Sequence, residues 1–301
     1  MALLQTFLQV VLPVFLVAGV GLALQKALRL PPGPLGQVVL YAFAPGLAFY
    51  NLATTTVEKP LLGHIALFAI LLIGVMWGLG WMVARILRLD RVGESSFLLS
   101  VVFMNAGNMG LSVTLLAFGQ EGLALGLVFF IVEATLGNTL GIYLAARGHA
   151  DARQALIQVI RMPLLYGAVL GLVVNLARIP IPQPLLVSTR FLSSAAIPAM
   201  LIVLGLQLGS AWSKPPWKTL GASLALRLGV SVLVAVGLVR ALGIEGLAGK
   251  VLIVMSAMPT PVFVTIFATQ FRLDAPLLTN TVVVSSVASM FTLTVLLWWL
   301  Q

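Results

Sequence analysis

SVVFMNAGNMGLSVTLLAF (residues 100–118) and VMSAMPTPVFVTIFATQF (254–271) are two apolar stretches that each interrupt themselves near the middle. In the first, Gly107 and Gly110 flank Asn108, with Asn105 one turn earlier; in the second, Pro259 and Pro261 bracket Thr260. Glycine weakens a helix interior, and proline removes an N–H and clashes with the preceding turn. Backbone unwound in lipid is costly unless it is buried in protein or lines a wet cavity. Paired interruptions at corresponding places in two halves of a membrane protein point to a transporter's binding site. For one span alone a packing kink is the better reading, since Gly and Pro are frequent in such helices. The match between two spans favours a site.

The rest of the chain makes lipid the solvent. Of its 301 residues 60% are hydrophobic and 8% charged, against about 25% charged in a soluble domain. About 20 apolar residues span the hydrocarbon as a helix, and ten such runs fit. They are expected at 3–24 (span 1), 35–53 (span 2), 61–86 (span 3), 95–117 (span 4), 122–146 (span 5), 163–177 (span 6), 185–210 (span 7), 217–240 (span 8), 247–269 (span 9) and 276–300 (span 10). The first run has no basic start and no small-residue cleavage site before Gln25 and Lys26, so it reads as a span and not as a signal peptide. No cysteine occurs, which removes disulfide and thiolate chemistry. The net charge of +9 sits in loops and sets orientation, so no nucleic acid is expected.

With ten spans, alternate loops share a side. One side collects Lys26, Arg29, Arg85, Arg88, Arg91, Arg147, Arg153, Arg161, Lys214, Lys218 and Arg272; the other collects Lys59, Arg178, Arg190, Arg240 and Lys250. The richer side is cytoplasmic by the positive-inside rule, which puts both termini outside. Residues 150–161 (ADARQALIQVIR) read as an amphipathic helix on the cytoplasmic surface, joining a first unit (1–149) to a second (162–301).

These units are similar. Gly21-Leu22 followed by Pro34-Leu35 recurs as Gly171-Leu172 followed by Pro184-Leu185, at an offset of 150. Pro45 in span 2 answers Pro198 in span 7 at an offset of 153, and 105–110 answers 257–262 at 152. Five spans per unit place the second copy upside down, the inverted repeat of many secondary transporters. Pro45 and Pro198 are read as kinks that shape the site.

Each break exposes half-helix ends, and N–H groups at a helix N-terminus favour anions. Asn105, Asn108 and Thr260 add neutral hydrogen-bond partners, so an anionic or strongly polar substrate is expected where spans 4 and 9 cross, with Gly107, Gly110, Pro259 and Pro261 shaping the crossing. Glu133 is the only acid deep in a span. It reads equally as a proton-coupling or gating acid and as a neutral structural carboxyl. Arg227, the only base well inside a span, reads first as snorkelling to the interface and second as attracting an anion, with Glu133 as a partner to be tested. Gln207, Ser256, Thr265, Ser285, Ser286 and Ser289 read as packing glue between helices.

NAGNMGLSVTLLAFGQEGL (105–123), SSAAIPAMLIVLGLQL (193–208) and SAMPTPVFVTIFATQFRLD (256–274), with the tail APLLTNTVVVSSVASMFTLTVLLWWL (275–300), resemble the auxin efflux carrier family of bacterial and plant permeases, within the group that includes the sodium–bile acid symporters. The resemblance covers nearly the whole chain. It implies ten helices, a scaffold domain of spans 1, 2, 6 and 7, and a transport domain of spans 3–5 and 8–10. It also implies an elevator-like movement and a homodimer. In plant carriers of this group an asparagine in the span 4 break contacts the substrate's carboxylate; aligned through the next glycine and the Phe118-Gly119 pair, that position is Asn105, and the proline of the second crossover is Pro259. The chain departs from the family at Ser112, where proline is common, and at Gln270, where an acid is common; the latter bears on ion coupling.

An intramembrane enzyme would need an aspartate pair, a Ser–His pair or metal ligands within the membrane. Every aspartate here lies in a loop, His64 and His149 lie at span ends, and no H-E-x-x-H or phosphate-binding loop occurs. No enzyme activity, metal or cofactor is expected. The expectation is an all-α, ten-span secondary carrier of a small organic anion in a bacterial cytoplasmic (inner) membrane, moving it outward, with protons or sodium as the coupling ions. The alternative is a sodium symporter of the bile-acid type, taking ligands from Asn105, Asn108, Ser112, Thr114 and Gln270.

Overall fold

The computed structural model describes residues 2–55, 59–146, 160–209 and 216–300, and all regular structure among them is helical. Seven of these helices are long and apolar enough to cross a membrane: Leu3–Leu28, Pro32–Thr54, Pro60–Ile86, Arg91–Ala145, Gln183–Leu208, Trp217–Ala241 and Ala275–Leu300. Pro163–Leu176 and Gly246–Ser256 are apolar but shorter. They coincide with span 6 and the first half of span 9. The surface helix expected at 150–161 lies, except for its last two residues, outside the described residues.

Spans 4 and 5 both fall on Arg91–Ala145, which is 55 residues long. A straight helix of that length would run about 80 Å, far beyond the ~30 Å of hydrocarbon. The chain instead folds back at Gly119, whose φ of 68° and ψ of −160° leave helical geometry. A Cβ on Gly126 would meet the Thr114 hydroxyl at 3.1 Å, although twelve residues of straight helix would separate them by about 18 Å. Only a hairpin brings them together.

Several helices end alike. Leu89, Ile179, Ile244 and Leu273 donate their N–H groups back to Ala84, Val174, Val239 and Ala268, at 2.9 to 3.1 Å. The residue before each is left-handed: Arg88, Arg178, Gly243 and Arg272. This is the Schellman closure, usually built on glycine. Arginine in that conformation costs roughly 1–2 kcal/mol, which its charge at a helix C-terminus partly offsets. Left-handed residues also correspond between the halves: Arg29 and Arg178 after spans 1 and 6, Arg88 and Gly243 after spans 3 and 8, Gly119 and Arg272 after spans 4 and 9.

Spans 1 and 7 pack along each other, as do spans 2 and 6. Glycines set both distances. A Cβ on Gly21 would run into the Ile202 carbonyl, and one on Gly205 into the Ala18 carbonyl. Across the other pair, Gly167 faces the Pro45 carbonyl and Gly171 the Phe49 carbonyl. The Gly21–Ile202 and Gly171–Phe49 contacts exchange roles between the halves, at the offsets of 150 and 153 already seen.

Here there is no flexible side chain to move aside. Gly205→Ala and Gly167→Ala should each destabilise the protein by about 1–3 kcal/mol, the cost of overpacking. Gly19→Ala, where nothing lies within 4 Å, should leave the thermal unfolding midpoint of the purified protein in place.

Candidate functional site

Span 4 breaks where its composition stops favouring a helix. The first half, Arg91–Val102, is capped by Asp90, whose carboxylate accepts from the Gly93 N–H at 2.9 Å. Phe103 is extended, and the chain stays unwound to Asn105. It restarts through one widened turn, Ala106–Gly110, closed by Gly110 N–H donating to the Asn105 carbonyl at 3.0 Å. Such π-type turns often mark functional positions. The glycines answer to space: a Cβ on Gly107 would meet the Phe130 ring at 2.8 Å, and one on Gly110 the Met255 sulfur at 2.8 Å. Gly110 therefore lets span 9 come up to span 4.

Span 9 is two short helices, Gly246–Ser256 and Phe263–Gln270, joined by unwound backbone through Pro259, Thr260 and Pro261. The two breaks bond to each other. Asn105 N–H donates to the Pro259 carbonyl at 2.8 Å. The Thr260 hydroxyl donates to the Ser100 carbonyl at 2.7 Å, and the Thr260 N–H to the Ser285 hydroxyl at 3.1 Å. Phe103, in the first break, stacks on Phe263, which opens the second half of span 9, with ring centroids 5.9 Å apart. The expected crossing of spans 4 and 9 is thus a hydrogen-bonded joint.

The expected site residues divide. Asn105 is 4% exposed, and its amide Nδ2 has no hydrogen-bond partner among the described residues. Asn108 is half-buried beside it, and its carbonyl accepts from the Ser112 hydroxyl at 2.9 Å. Thr260 is fully buried with its hydroxyl proton committed to Ser100, so it tethers the breaks together. The structure does not bring Gln270 to the crossing: it is exposed at the far end of Phe263–Gln270. Glu133 is buried, and its carboxylate accepts from the Met104 N–H, inside the span 4 break, at 3.3 Å.

The snorkelling reading of Arg227 is overturned. Its side chain is fully buried, in a widened turn of span 8 (Ala225–Val230), and points at the crossing. Nη1 donates to the Val101 carbonyl at 2.8 Å and the Val102 carbonyl at 3.4 Å, and Nη2 donates to the Ser256 carbonyl. Glu133 is not its ion-pair partner; the ion pair among the described residues is Arg85–Glu94 at 3.5 Å. Snorkelling failed because the two half-helix ends offer the guanidinium better acceptors than the interface does. A lone base deep in a span was the signal in the sequence, but its direction was not.

Spans 2 and 7 meet the hairpin of spans 4 and 5 around a cavity of ≈ 560 Å³, lined by Tyr50, Asn51, Gln120, Arg190, Ser193 and Pro198 among others. Span 7 also packs on the turn Ala106–Gly110, so cavity and crossing adjoin one helix. Asn51 is held by the Leu47 carbonyl and the Ser193 hydroxyl, at 2.9 and 3.1 Å. Sequence reasoning passed over Tyr50, Asn51, Arg190 and Ser193, because nothing local distinguishes them from span-end polar residues.

A family model for membrane transport proteins matches this chain twice, over residues 6–153 and 149–297. The chain belongs to that family, the family of auxin efflux carrier-like transporters. The resemblance read from the sequence is borne out. An uncharacterized transporter of Methanothermobacter thermautotrophicus is 26% identical over 264 residues, 86% of either chain. An uncharacterized transporter of Methanocaldococcus jannaschii is 25% identical over 273 residues, 88% of this chain and 87% of its own. The protein is therefore a membrane transporter, not an enzyme, and its partners include the bilayer and a transported substrate.

Removing the Thr260 hydroxyl strands the Ser100 carbonyl in a buried joint, a penalty of about 1–3 kcal/mol. Thr260→Val should lower the unfolding midpoint accordingly, and Thr260→Ser should restore most of it.

Proposed function

We propose that this transporter carries small organic anions, carboxylates foremost, by an elevator-like alternation at the crossing of spans 4 and 9. The observation that carries the reading is Asn105: a buried amide donor, without a partner among the described residues, in the break of a transmembrane helix. An unsatisfied buried donor costs about 1–3 kcal/mol. An incoming carboxylate oxygen relieves that penalty and meets the positive ends of two half-helices, each worth about 0.3–1 kcal/mol at exposed sites and up to ~2 kcal/mol when partly buried. Asn108 supports the same anion, and Thr260 holds the joint that aims Asn105.

The architecture we propose is ten spans in two inverted five-span repeats, 1–149 and 162–301, joined by 150–161. Spans 1, 2, 6 and 7 form the scaffold, and spans 3–5 and 8–10 the moving domain. The twofold family match, the exchanged glycine contacts of spans 1·7 and 2·6 and the corresponding left-handed residues support it. The cavity lies where scaffold and moving domain would meet. Orientation with both termini outside a bacterial cytoplasmic membrane, outward movement, a homodimeric assembly and a coupling or gating role for Glu133 belong to the same proposal.

The sodium-symporter alternative is the weaker reading. Gln270, one of its expected ligands, stands away from the crossing.

Thermal unfolding of the purified protein against small carboxylates and neutral analogues tests the reading, because a bound ligand raises the midpoint by mass action. A carboxylate should stabilise the wild type, and Asn105→Ala should weaken its binding about 10- to 100-fold, the loss of a hydrogen bond to a charged group. Stabilisation by neutral compounds alone, or an unchanged response in the variant, would refute it.

A further inference from the structure

The crossing has two faces of opposite polarity. Beyond the breaks, the half-helices turn N–H groups toward it. Before the breaks, Arg91–Val102 and Gly246–Ser256 turn carbonyls toward it, and each such C-terminus carries about half a negative charge. Two of them meet in a region closed to water. In carriers built on broken helices, half-helix C-termini and unwound carbonyls are where a co-transported sodium ion or proton is held.

In this chain that place is taken. The Arg227 guanidinium lies across both ends at once, with Nη1 on the Val101 and Val102 carbonyls of span 4 and Nη2 on the Ser256 carbonyl of span 9. The Ser231 hydroxyl reaches the same Ser256 carbonyl at 3.0 Å. A planar fork bridges two separate acceptors where a compact ammonium or a bare ion meets them from one point. No carboxylate within ion-pair distance neutralises it among the described residues. Glu133 is turned to the Met104 N–H on another part of the break.

We propose that Arg227 is a resident counter-cation: a tethered guanidinium occupies, behind the crossing, the position of a coupling ion, so that the chain binds and moves its anion without sodium. The inference rests on the carrier reading above and assigns its ion dependence. The three carbonyls that would cage a sodium ion already accept from Arg227, and a second positive charge beside the guanidinium would be repelled. The guanidinium charge also favours an anion on the opposite face, which makes Arg227 a positioning and selectivity residue that touches no substrate.

The test uses the full-length protein, purified, as wild type, Arg227→Ala and Arg227→Lys, with carboxylate binding and thermal unfolding read in sodium and in choline buffers. Wild type should bind the carboxylate equally in both. Arg227→Ala should lose about tenfold or more in affinity, the loss of a charge acting at the site, and should regain it with millimolar guanidinium but not with urea, its neutral analogue. Arg227→Lys keeps the charge and serves if the alanine variant does not fold; its binding should survive and stay sodium-independent. Sodium-dependent binding by wild type overturns the proposal. So does an alanine variant that binds like wild type, one whose loss guanidinium does not repair, or a folded lysine variant that binds nothing. If wild type responds to no carboxylate, the carrier reading fails by itself, and a saturable rise in the Arg227→Ala unfolding midpoint with guanidinium still reports on the counter-cation.

Discussion

Backbone that leaves a helix within lipid has to find hydrogen-bond partners inside the protein, because the solvent supplies none. Spans 4 and 9 each leave the helix for a few residues, and the structure is organised around partnering what they release. The breaks are set against each other, so Asn105 donates to Pro259, and Thr260 reaches Ser100 and Ser285. Span 8 supplies Arg227 for the carbonyls left behind. Span 5 supplies Glu133 for the Met104 N–H. Three other segments, spans 5, 8 and 10, therefore pack where they do partly to close one joint.

This constraint also explains the small and polar residues of the region. Gly110 admits Met255, and Gly126 admits Thr114, to a distance that a methyl group would contest. Ser100, Ser223, Ser256, Ser285 and Ser289 are buried hydroxyls whose hydrogen bonds are made locally or between helices. Against this closed background the open Nδ2 of Asn105 stands out. Among the described residues the joint leaves two buried side-chain donors open, Asn105 Nδ2 and Arg227 Nε.

Outside the joint, packing follows another rule. Spans 1·7 and 2·6 are held by backbone against backbone, with glycines at the points of contact, the means by which helices associate tightly where lipid offers no hydrophobic drive. The cavity bounded by Asn51, Ser193 and Arg190 lies where spans 2 and 7 meet the hairpin of spans 4 and 5.

The amino-acid sequence by itself determined the solvent, the positions of the apolar runs, both breaks and the correspondence of the two halves. All four follow from composition and from local backbone preference, which glycine and proline state directly. It could not determine what meets what. Arg227 lies 126 positions from Val101, Glu133 lies 29 from Met104, and no spacing rule links either pair. The tertiary structure alone decided that the base turns inward to two helix ends, that Gln270 stays away from the crossing and that Thr260 is a tether. Each of these is settled by competition among partners for a buried polar group, and the partners exist only once the helices have packed.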